Sequence, residues 1–99
     1  MQEWTEQELE AQLSKGERTL IFFHTPLCGT CQLAKKMLTV TEAMIPNLNM
    51  GISNLNYMPS KAALFEIESV PCLIEIKHNH VSKKIYAFHS VEHLLSELR

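Results

Sequence analysis

The chain has 99 residues, 45% of them apolar and 20% charged, with three glycines and four prolines. That balance excludes a disordered tail, a collagen-like repeat and a coiled coil, and no apolar run approaches the roughly 18 residues of a membrane span. Nine basic against eleven acidic residues give a net charge of −2 and a pI near 6.2, so the chain has no electrostatic footprint for nucleic acid.

The length fits one soluble domain over residues 1–99, large enough for a core without metal or disulfide staples. Met1–Glu6 is acidic and polar and reads as neither a signal nor a transit peptide. Thr5-Glu6-Gln7-Glu8 is a capping box, with Trp4 and Leu9 placed as a hydrophobic staple. A first helix is expected over Thr5–Lys15, with Gly16 in the left-handed position beyond it. Thr19–His24 is a continuous apolar run too short for a typical helix, and reads as a strand buried on both faces. Cys31, Ala34 and Leu38 then recur at helical spacing, with Leu33 and Met37 beside them as part of a core stripe and Lys35 and Lys36 outside.

Leu48–Leu55 is ambiguous, although Leu48, Met50 and Ile52 alternate as in a strand. Pro59-Ser60 opens a short helix reaching about Ile67. Cys72–Lys77 is a strand, His78-Asn79-His80 a hairpin turn, and Val81–Phe88 the returning strand. Ser90 caps a last helix whose Val91, Leu94, Leu95 and Leu98 share one face. The expected order is α-β-α-β-α-β-β-α, without repeat or linker.

Three cysteines are too few for a disulfide scaffold, and their odd number leaves one unpaired. The default compartment is then the reducing cytosol, where a close cysteine pair is catalytic or metal-binding rather than structural. In Cys28-Gly29-Thr30-Cys31 the first sulfur sits at a helix N-terminus, where free N–H groups and the helix dipole favour the thiolate. The second lies one turn later, within reach of a mixed disulfide on the first. Zinc ribbons also use C-x-x-C, but they usually need a second ligand pair, and Cys72 is solitary.

With Leu20–Phe23 leading into Cys28-Gly29-Thr30-Cys31, and Val70-Pro71 some forty residues on before a strand, the chain resembles the thioredoxin superfamily. The likeness follows the element order along nearly the whole chain and is to a divergent, small, bacterial-type member. It implies an α/β thioredoxin fold: a central mixed sheet flanked by helices, ending in a β-hairpin and a helix. It also implies thiol–disulfide exchange and a cis Val70-Pro71 bond against the cysteine pair. Family members with a Trp-Cys-Gly-Pro-Cys motif differ at Leu27 and Thr30. The buried aspartate many of them place six residues before the nucleophile is Phe22 here. Lys35 and Lys36 occupy the region of the family's helix proline, and Ala87 or Phe88 the place of its late glycine.

Residues and resemblance together point to a cytosolic, monomeric thiol–disulfide oxidoreductase with Cys28 as nucleophile and Cys31 as resolving thiol. Leu27, Gly29, Thr30, Val70 and Pro71 are expected to form a shallow apolar groove for disulfide-containing substrates. An external reductase or a low-molecular-weight thiol would recycle the pair, with no bound cofactor, metal, nucleic acid or membrane. The alternative is a non-enzymatic metal-binding or adaptor domain using Cys28, Cys31 and Cys72.

The remaining candidates each have a plainer reading. Cys72 is expected as a small apolar strand residue, although it follows the proline that the resemblance places beside the pair. His24 could hold charge near the thiolate or relay a proton, but a surface-loop histidine is the simpler expectation. His78 and His80 read as solvated. His89 and His93 have metal-compatible spacing without a framework to complete a site. Glu75 could replace the missing aspartate as a proton acceptor, but strand alternation favours its facing solvent.

Overall fold

The computed structural model, which describes residues 1–99, is organised around the apolar run near residue 20. Its elements are β1 (Gln2–Glu3), α1 (Glu6–Leu13), β2 (Thr19–His24), α2 (Gly29–Met44), β3 (Met50–Asn54), a 3-10 turn (Leu55–Tyr57), α3 (Pro59–Leu64), β4 (Cys72–Lys77), β5 (His80–Ile85) and α4 (Val91–Leu98). The five strands form one sheet in the order β1-β3-β2-β4-β5. β1 and β2 run parallel to β3, while β4 is antiparallel to both β2 and β5. This is the expected mixed sheet with a C-terminal hairpin and helix.

β2 is central and is covered on both faces, which is why it carries no polar alternation. Leu20 and Phe22 point to one side with Cys31, Ala34, Leu38, Leu94 and Leu98, so α2 and α4 cover that face. Ile21 and Phe23 point to the other with Leu9, Met58 and Phe65, so α1 and the segment around α3 cover it. Each fully buried Leu, Ile or Phe side chain among these contributes about 1.5–3 kcal/mol relative to exposure. No helix is long and apolar enough to cross a membrane.

Local signals act where they are placed. The Thr5 hydroxyl accepts from the Glu8 N–H at 3.2 Å, and the Thr5 N–H donates to Glu8 Oε1 at 3.0 Å, closing the capping box. Trp4 and Leu9 lie in one cluster. Gly16 adopts φ +72° as expected, although α1 stops at Leu13, two residues before Lys15. At the hairpin His78 and Asn79 both have positive φ, the geometry of a two-residue turn matched to strand twist. His80 already pairs with Lys77 in the ladder.

Several boundaries differ from expectation. α3 ends at Leu64 rather than near Ile67, because Glu66 takes φ +53° and terminates the turn. β5 ends at Ile85, not Phe88, as the chain leaves the sheet toward α4. Leu33, expected in the core stripe, is 60% exposed, since only the Cys31–Ala34–Leu38 edge of α2 meets the sheet. The ambiguous Leu48–Leu55 segment divides into β3 from Met50 and the 3-10 turn from Leu55.

β1 is absent from the expected order, being only two residues long. Contacts just beyond it hold it in place: the Trp4 N–H donates to the Ile52 carbonyl at 2.9 Å, and the Ser53 hydroxyl donates to the Trp4 carbonyl at 2.9 Å. The buried indole lies against Gly51, where any Cβ would come within 2.2–2.5 Å of three indole carbons. Glycine is thus required at position 51 by close approach. Gly51→Ala should lower stability by about 1–3 kcal/mol through overpacking, read as a lower urea midpoint. Gly29→Ala, where an added methyl meets nothing within 4 Å, should leave the midpoint unchanged or slightly raised. Equal midpoints for Gly51→Ala and the parent chain would contradict the packing described.

Candidate active site

β2 delivers the chain to one end of the sheet, and α2 begins there with Cys28 as its N-cap. Cys28 has extended backbone angles, and its sulfur accepts the Cys31 N–H at 3.2 Å. The Thr30 hydroxyl lies 3.4 Å from the same sulfur. Cys28 and Cys31 are joined as a disulfide with their Cα atoms 5.2 Å apart. In the reduced protein the N–H and hydroxyl that meet this sulfur would donate to a thiolate, and charge-assisted bonds of that kind are the stronger ones.

The two cysteines differ in access. Cys28 is half-buried at the surface, whereas Cys31 is 2% exposed within the core cluster that includes Phe22, Ala34 and Leu38. The Val70-Pro71 peptide bond is cis, as the resemblance implied. Pro71 and Thr30 line one shallow depression beside the pair, together with Ala34, Tyr86, Phe88 and His89. Leu33 and Met37 of α2 complete its apolar wall. Of the other expected groove residues, Leu27 projects fully into solvent, Gly29 opens α2, and half-buried Val70 packs against both core clusters; none of these three lines the depression.

Tyr86, Phe88 and His89 also line this depression, and the sequence reading did not single them out for it. They reach the depression through the segment joining β5 to α4, where His89 adopts φ +57°. Tyr86 Oη also accepts the Glu68 N–H at 3.2 Å, bracing the loop that leads to Pro71. The one available signal was the aromatic pair in a segment that reads as strand.

Glu75 does not face solvent as expected; it is 5% exposed. Arg18 Nε donates to Glu75 Oε2 at 2.6 Å, and the Ser82 hydroxyl donates to Oε1 at 2.7 Å. Burial alone would raise this carboxyl, but the Ser82 and Arg18 hydrogen bonds and the Arg18 and Lys77 charges outweigh it and hold the group below its ordinary value. Glu75 pairs with Leu20, not with Phe22, toward the end of β4 away from the cysteines. It is a structural tie: Arg18 Nη2 continues from it to the Leu98 carbonyl at 2.6 Å.

His24 is also not a surface-loop residue. It ends β2, half-buried, with its ring stacked against Phe22 at 6.2 Å between centroids. His78 and His80 are exposed, as expected. His89 and His93 meet edge-to-face at 4.7 Å between centroids, and no group of three or more His, Cys, Asp or Glu side chains is assembled to hold a metal ion. The alternative ligand set of Cys28, Cys31 and Cys72 is not brought together. Cys72 points to the sheet face of Ile74 and Phe65, while Cys31 lies on the face of Leu73 and Phe22.

Cys72 is a free thiol with 0% exposure. Burial pushes it up to about 11, against the opposing effects of a hydrogen bond with Tyr86 and the Lys84 charge. In timed alkylation of the native reduced protein at neutral pH, Cys28 should be labelled first and Cys72 last. Rapid labelling of Cys72, or a Cys28–Cys72 peptide after mild oxidation, would contradict this placement.

The comparisons with known proteins agree with this geometry. The thioredoxin family model matches residues 1–99. Thioredoxin-like protein YusE of Bacillus subtilis (strain 168) is 44% identical over 88 residues, covering 89% of this chain and 83% of that protein. A thioredoxin mutant from Halobacterium salinarum NRC-1 has a similar structure, with a TM-score of 0.82 at 16% identity over 99% of this chain and 86% of that one. Mitochondrial thioredoxin 3 of Saccharomyces cerevisiae, in its oxidised form, gives 0.82 at 18% identity over 99% and 92%. At such identities these two structures bear on the fold alone. The full-length match and the YusE relative establish more: this chain belongs to the thioredoxin family, with Cys28 and Cys31 as the joined pair of a thiol–disulfide oxidoreductase.

Proposed function

We propose that Cys28 is the nucleophile and Cys31 the resolving thiol in the reduction of disulfides in proteins or small molecules. The observation that carries this reading is the asymmetry of the pair: one sulfur caps α2 at the surface, and the other is enclosed one turn later. The Cys28 thiolate attacks a substrate disulfide, forming one S–S bond and expelling one substrate thiolate. Cys31 then loses its proton and attacks the Cys28 sulfur, expelling the second thiolate and leaving Cys28–Cys31 oxidised. Two electrons pass to the substrate, and an external reductase or a low-molecular-weight thiol returns them.

Leu27, Gly29, Thr30, Val70 and Pro71 are the proposed substrate-binding residues. Leu27 supplies an exposed apolar contact before the nucleophile, and Thr30 and Pro71 form the edges of the adjoining depression. Gly29 and Val70 flank them without lining it. In this reading the working unit is one copy of the 1–99 domain in the reducing cytosol. The bacterial thioredoxin-like relative and the free Cys72 thiol support that setting.

Cys31→Ser keeps the nucleophile and removes the resolving thiol, so mixed disulfides through Cys28 should accumulate in extracts. Trapping by Cys28→Ser instead would reverse the assignment.

Thr30 adds a second expectation. Its hydroxyl beside Cys28 and its own N–H at the start of α2 both favour the reduced thiolate, and stabilising the reduced form raises the potential. The pair should therefore equilibrate with glutathione at a potential above the roughly −270 mV of thioredoxin. Thr30→Val should lower it by about 10–30 mV, the equivalent of one modest hydrogen bond. A parent value at or below that of thioredoxin, or no change in Thr30→Val, would contradict the role given to Thr30.

A further inference from the structure

Resolution requires Cys31 to lose a proton, yet its core neighbours Phe22, Ala34 and Leu38 hold no acceptor. The one buried carboxylate, Glu75, is engaged by Arg18 and Ser82 toward the other end of β4. Cys31 also lines a recess of about 200 Å³ on the other side of the pair, together with His24, Thr25, Pro26, Gln32 and Lys35. That volume admits several waters, each occupying about 30 Å³ of liquid.

Three features direct His24 toward this recess. It leaves β2 on the same face as Phe22, two residues earlier, and that is the face covered by α2. Its ring is stacked near-parallel to Phe22, with 10° between the planes, so the imidazole is held at the edge of the Cys31 cluster. Of the side chains lining the recess with Cys31, those of Thr25, Gln32 and Pro26 are not bases and Lys35 is a cation, which leaves His24 as the acceptor.

We infer that His24 takes the Cys31 proton across this recess, through one bridging water, as Cys31 attacks the Cys28 sulfur. The Cys31–Cys28 bond forms, the Cys28–substrate bond breaks, and the departing thiolate takes a proton from the imidazolium or from solvent. No electron source beyond the dithiol is needed. The inference rests on the reading of Cys31 as the resolving thiol.

The groups facing His24 are Lys35 of α2 and Glu3 of β1, with neutral Asn54 as its register partner on β3. Burial first and the Lys35 charge second hold the imidazole below its ordinary value of 6.5, against a weaker opposing pull from Glu3. The ring is therefore neutral, and able to accept, at neutral pH.

Reduced protein mixed with 5,5′-dithiobis(2-nitrobenzoate) separates the steps: the first thionitrobenzoate reports Cys28 attack and the second reports resolution. The second phase should slow as pH falls through an inflection below 6.5. His24→Gln should slow that phase by about tenfold or more, within the span of general-base effects. It should also abolish the inflection, while the first phase stays within about twofold; added imidazole should restore the second phase. Lys35→Gln should move the inflection to higher pH, because a neighbouring cation is removed. An unchanged second phase in His24→Gln, equal slowing of both phases, or a retained inflection would overturn the inference. If His24→Gln does not fold, Lys35→Gln decides the matter with the imidazole in place, and an unshifted inflection overturns it. Cys31→Ser separates the two levels. A second phase that survives this variant refutes the resolving role itself, whereas its loss alongside a normal His24→Gln refutes only the part given to His24.

Discussion

Everything at the cysteine pair depends on the burial of β2 on both faces. A one-residue slip would exchange Leu20 and Phe22 with Ile21 and Phe23 between two layers packed around different side chains, so the fit of each layer holds the register. The point at which it leaves the sheet is therefore fixed, and Cys28, four residues after His24, caps α2 there. That places the Cys28 sulfur over the first N–H groups of a 16-residue helix and packs Cys31 onto Phe22. The chemical difference between the two sulfurs follows from this packing, since one terminates the helix and the other joins its buried edge.

The same burial accounts for the cross-sheet arrangement. α2 and α4 share one face, so the segment entering α4 passes the cysteine end and contributes Phe88 and His89 beside Pro71. Cys72 follows Pro71 immediately but faces the opposite layer, because successive strand residues alternate. Adjacency in sequence to the proline thus gives Cys72 a location near the pair without access to it.

Local chemistry was legible where a signal and its partner lie within a few residues. The Thr5–Glu8 capping box, the left-handed Gly16, the His78-Asn79 turn and the Ser90 cap of α4, whose hydroxyl accepts the His93 N–H, all act as expected. The Cys28–Cys31 spacing likewise indicated one sulfur at a helix start and one a turn later. Long-range pairing was not legible. β1 is two residues whose strand character exists only through Gly51 and Ile52, and nothing in Gln2-Glu3 encodes that register. Alternation placed Glu75 in solvent because the sequence cannot show that Arg18, 57 residues away, reaches it under α4. Tyr86, Phe88 and His89 were not singled out for the depression for the same reason, since a segment that leaves the sheet early carries the same aromatic residues as one that stays.

In this reading the start of α2 stabilises Cys28 as a thiolate. The most direct measurement is the rate of iodoacetamide labelling at Cys28 against pH in the Cys31→Ser protein, read by mass. The substituted serine retains the backbone N–H that meets the Cys28 sulfur, and Cys72 is buried, so the profile reports one group. The account predicts an inflection at about pH 7.5 or lower, as for cysteines at helix N-termini. An inflection at or above about 8.5, the value of a free cysteine, would contradict it.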